Sequence, residues 1–71
     1  MPALQLANDR GRTWYRLTNE INGINSEISH LQSQIVKEDD KDKRAILLAN
    51  IQRLESRIRL LELRRVTEGG L

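Results

Sequence analysis

Two apolar stripes constrain this chain more than any other feature. Trp14, Leu17, Ile21, Ile24, Ile28, Leu31 and Ile35 follow one another at alternating intervals of three and four, and Leu47, Ile51, Leu54, Ile58 and Leu61 do the same further on. Such spacing keeps side chains on one narrow face of a helix with a heptad repeat, whereas a strand would need apolar residues at every second position. Between the stripes, Glu38-Asp39-Asp40-Lys41-Asp42-Lys43-Arg44 contains no apolar residue. Its carboxylates suit the start of a helix, where unpaired backbone N–H groups need acceptors. The chain is therefore expected to reverse direction in this segment.

Reversal about Lys41 brings 35 opposite 47, 31 opposite 51, 28 opposite 54, 24 opposite 58, 21 opposite 61 and 17 opposite 65, so that each apolar layer finds a partner. A continuous rod would instead carry charged residues on its seam through the middle. The flanks of an antiparallel pair add a second test. Glu20 is expected to meet Arg64, Glu27 to meet Arg57 and Gln34 to meet Asn50, while Thr18, Asn25 and Gln32 lie beside Glu62, Glu55 and Leu48. Exposed ion pairs contribute about 0.2–1 kcal/mol each, enough to select a register but not to hold a fold. The sequence thus predicts an all-α chain, a two-helix antiparallel coiled-coil hairpin with an N-terminal arm. The arm covers 1–12, helix 1 covers 13–37, a turn covers 38–42, helix 2 covers 43–67 and a tail covers 68–71.

Glycines punctuate this scheme. Asn22-Gly23 resembles a two-residue β-hairpin turn, but Ile21, Ile24 and Ile28 keep helical spacing through it and both residues fall on the outer face. Gly23 is read as a tolerated surface glycine, costing about 1 kcal/mol relative to alanine. Gly69 and Gly70 are read as a left-handed cap that ends helix 2.

Composition narrows the function. The chain has 71 residues, no cysteine and a single Trp and Tyr with no Phe, so it can assemble neither a large core nor a disulfide framework. A thin rod offers no cleft for an acid, base or nucleophile, and an enzyme is not expected. No cofactor or metal is expected either: His30 stands alone on the polar outer face, and Glu38, Asp39, Asp40 and Asp42 lack the loop of a calcium hand. No signal peptide or membrane span is present, which leads to an expectation of a cytoplasmic protein, or one inside a particle assembled there, with no membrane partner.

Apolar residues left outside the seam indicate where partners would dock. Ile46, Ala49, Leu60, Leu63 and Val66 lie along the back of helix 2, interrupted by Arg53, whereas the back of helix 1 reads Arg16, Asn19, Gly23, Ser26, His30, Ser33 and Lys37. A two-helix hairpin is marginal alone, and this second stripe can supply the missing burial through self-association or other protein subunits. Leu4 and Leu6 on the arm belong to the same expected interface; folded back, they would instead cap Leu60 and Leu63 within one chain.

Charge supplies the competing expectation. Residues 1–20 and 57–71 meet at the open end of the hairpin and carry seven arginines against four acids. Arg10, Arg12, Arg16 and Arg59, with Trp14 for stacking, form a candidate contact for nucleic acid or an acidic partner. Arg57, Arg64 and Arg65 are expected to be used within the fold, Arg65 over the Trp14 ring. The leading expectation is a non-enzymatic assembly protein, an adaptor or scaffold of the kind found as small virion components. A small oligomeric nucleic-acid-binding regulator is the alternative.

Overall fold

In the computed structural model, the backbone is described for residues 2–69 and the side chains for residues 11–69. Helix α1 spans Pro2–Lys37 and helix α2 spans Lys41–Arg64, followed by one π-helical turn at Arg65–Gly69. The two helices pack against each other as an antiparallel hairpin, and no strand occurs among the described residues. The molecule is a rod of 59 × 15 × 11 Å.

Local chemistry sets the connection. Asp40 adopts extended dihedrals and its side chain accepts from the backbone N–H groups of Asp42 and Lys43, at 2.8 and 3.2 Å. This satisfies two of the donors that a helix start leaves unpaired. Glu38 Oε1 accepts from the Asp40 backbone at 3.1 Å, and the Glu38 N–H reaches back to the Ile35 carbonyl. Because Asp40 caps so early, the turn shortens to 38–40 and α2 begins at Lys41 rather than at 43.

The seam packs as its spacing requires. Leu17, Ile21 and Leu61 form the buried centre, with Ile24 and Ile58 against it. Ile28 and Ile51 are also buried, while Leu31, Ile35, Leu47 and Leu54 are half-buried. Burial is tightest at the open end, where the last turns of α2 pack on α1: Leu17 and Leu61 expose 2% and 0% of their surface.

Two boundaries differ from the sequence reading. The segment 1–12 does not form a separate arm, because α1 begins at Pro2 and runs unbroken through Gly11. Pro at the first helical position and the helix-forming run Ala3-Leu4-Gln5-Leu6-Ala7 favour this, and one glycine costs only about 1 kcal/mol against them. The expected cap of Leu4 and Leu6 over Leu60 and Leu63 rests on side chains outside the described residues. The second difference is at the C-terminal end. No described glycine has a positive φ, so Gly69 is not a left-handed cap. It is buried against α1: a Cβ there would lie 2.7 Å from the Trp14 backbone N and 2.8 Å from its Cα. Glycine is needed for close approach, and the widened π turn brings it there. Gly70 and Leu71 lie outside the described residues.

Candidate interaction surface

The seam consumes one face of α2 and leaves the opposite face bare. Ile46, Leu60, Leu63 and Val66 are between 51% and 64% exposed, and Ala49 is exposed among them. Residues three and four apart share a helix face, so Ile46, Ala49, Arg53, Ser56, Leu60 and Leu63 form a second stripe on the side away from α1. Its polar members are tied locally: Arg53 donates to Asn50 Oδ1 at 3.5 Å and Arg59 to Ser56 Oγ at 3.0 Å. Leu48, to one side, is half-exposed. Gly23, on the other helix, has open space around it, in keeping with a surface glycine.

The basic end is organised differently from a single arginine cluster. Arg65 sits with its guanidinium carbon 5.4 Å from the Trp14 ring centroid and donates to Thr18 Oγ1 at 3.1 Å. Tyr15 meets Trp14 edge-on, with centroids 5.4 Å apart. Trp14 belongs to the seam side of α1, whereas Arg12 and Arg16, one turn apart, are exposed on its outer side. The fold therefore separates the ring from the two arginines grouped with it in the sequence reading. Arg59 is on α2, held by Ser56. The side chains of Arg10, Leu4 and Leu6 lie outside the described residues.

The flank ion pairs also change partners. Arg57 Nη2 donates to Glu20 Oε1 at 3.3 Å, and Arg64 Nε to Glu68 Oε2 at 3.2 Å. The expected pairs Glu20 with Arg64 and Glu27 with Arg57 are not made. Glu68 lies one turn after Arg64 on the same helical surface and captures it, which frees Glu20 for Arg57. Arg57 spans an axial offset of roughly five residues, about 7–8 Å, which lies within reach of a long side chain.

The turn end leaves space. A groove of about 460 Å³ is lined by Gln34, Lys37, Glu38, Lys43, Ile46 and Leu47, and a smaller one of about 260 Å³ by Glu27, Leu31, Asn50, Arg53 and Leu54. Among the described residues no group of three or more His, Cys, Asp or Glu side chains comes together, and no helix is long and apolar enough to cross a membrane. The sequence reading missed Gly69 as a contact residue and the groove beside Ile46; both depend on how closely the helices approach, which residue spacing does not encode.

The chain matches no protein-family model, no curated protein and no solved structure.

Proposed function

We propose that this chain is a non-enzymatic assembly element, an adaptor or scaffold hairpin that docks protein partners on the back of α2. One observation carries the reading: the seam is satisfied within the chain, yet Ile46, Leu60, Leu63 and Val66 stay more than half exposed on the opposite side. Apolar surface arranged as a stripe stabilises a protein when something covers it, at about 25 cal/mol for each Å² removed from water.

The test places a photoreactive amino acid at Leu63 and, as control, at Ser26 on the outer face of α1, in cells that make the protein. Irradiation is expected to join protein to position 63 and not to position 26. Equal adducts at both positions, or none, refute the proposal. Adducts that disappear with nuclease move the assignment to the alternative, a nucleic-acid-binding regulator. That alternative draws on Arg12 and Arg16, which are exposed on α1 near Tyr15.

A further inference from the structure

We infer that the occupant of the α2 back face is a second copy of this chain, lying antiparallel against the first. The inference rests on that face being a protein-docking surface and names what docks there. Ile46, Ala49, Arg53, Ser56, Leu60 and Leu63 are spaced 3, 4, 3, 4, 3, a pattern that reads the same in both directions. A two-fold axis passing between Arg53 and Ser56 therefore maps the stripe onto itself, as a symmetric dimer interface requires.

The side chains fit this register layer by layer. Ile46 faces Leu63 of the second copy, Ala49 faces Leu60, and Arg53 faces Ser56, each layer occurring twice. At the ends two large apolar groups meet. Inside them a large residue always meets a small one, which is how facing positions interdigitate without voids. Sliding by one heptad destroys the match in either direction, setting Leu63 against Arg53 or Leu60 against Asp42.

Charge sets the cost of each register. From Ala45 to Thr67 this side of α2 carries Arg53, Arg59 and Arg64 and no acid, so every alignment brings some cations near one another. In the proposed alignment Arg59 lies beside Gln52 of the second copy, an amide acceptor, while Arg57 stays with Glu20 of its own chain. Arg53 already donates to Asn50, and Arg59 to the Ser56 hydroxyl, within one chain, so neutral acceptors suit these groups. Arg64 falls near Lys43, but Glu68 holds it at 3.2 Å and offsets the repulsion. Arg53 lies close to its symmetry mate across the axis, so removing its charge favours association.

Sedimentation equilibrium of the full chain over a concentration series tests this directly. The mass is expected to rise from 8.2 kDa toward twice that value. Leu63→Asp is expected to weaken association at least tenfold with unchanged helical circular dichroism, and Arg53→Leu to strengthen it. Since the chain lacks cysteine, the double variant Ile46→Cys/Leu63→Cys is expected to oxidise to a covalent dimer. Ile46→Cys alone is not, because the two copies of position 46 lie about 25 Å apart in this register. A monomer throughout the series overturns the inference, as does rapid dimerisation of Ile46→Cys alone, which marks a parallel pair. Binding to vesicles of anionic lipid by a chain that stays monomeric overturns it too. If the monomer nevertheless forms adducts with other proteins from position 63, the docking face stands and only its occupant is wrong.

Discussion

The two ends of the hairpin are held by different physics. At the open end, Leu17, Ile21 and Leu61 are buried, Arg65 bridges Trp14 and Thr18, and Gly69 lies against the backbone of α1. At the turn end, Ile35 and Leu47 are only half-buried beside an open groove, and order comes from backbone hydrogen bonds to Asp40 and Glu38. Contacts at the open end join residues far apart in sequence, so they can form only once the hairpin is closed. Contacts at the turn are local and can form early. The turn therefore fixes direction, while the open end carries the larger share of the packing energy.

Substitutions can break this comparison in order of effect. Leu61→Ala should cost about 2–5 kcal/mol in chemical denaturation, since it leaves a cavity in the most buried layer. Ile35→Ala, half-exposed near the turn, should cost about 1 kcal/mol; equal losses would mean that the ends are energetically alike. Gly69→Ala falls between these two, at about 1–3 kcal/mol, because the new methyl collides with backbone that cannot rotate away. Hydrogen exchange should then show opening confined to the last turn of the chain. Asp40→Ala should cost about 1 kcal/mol by removing the cap of α2, with faster exchange at the Asp42 and Lys43 amides. The smallest effect is expected for Glu20→Gln, about 0.2–1 kcal/mol and fading with added salt, because Arg57 and Glu20 are both well exposed.

What the sequence made legible follows the same division. The seam could be read because a helix converts intervals of three and four directly into one face, and the reversal could be read because Ile21 with Leu61 and Ile24 with Ile58 need each other. The flank pairs could not: arginine reaches across a turn or more, so Arg57 and Arg64 had several acids within range and residue order did not rank them. The start of α1 was hidden by Gly11, whose local cost is outweighed by the helix formers on both sides of it. Gly69 shows the limit most clearly, since its reason for being small is a backbone from the other end of the chain. For the docking face, the exposure of Ile46, Leu60, Leu63 and Val66 followed from their positions outside the seam. Arg12 and Arg16, grouped with Trp14 by proximity in sequence, are separated from it by the turn of the helix.

Trp14 is the only tryptophan in the chain, and it sits where the final turn seats. The protein thus contains its own optical reporter for closure at that end. Emission colour follows the docking of residues 65–69 beside the ring, while far-ultraviolet dichroism follows helix content. A heating curve in which the two signals part company would show the rod unzipping from its tips inward, and one in which they coincide would show it melting as a single unit, with no label added to the chain.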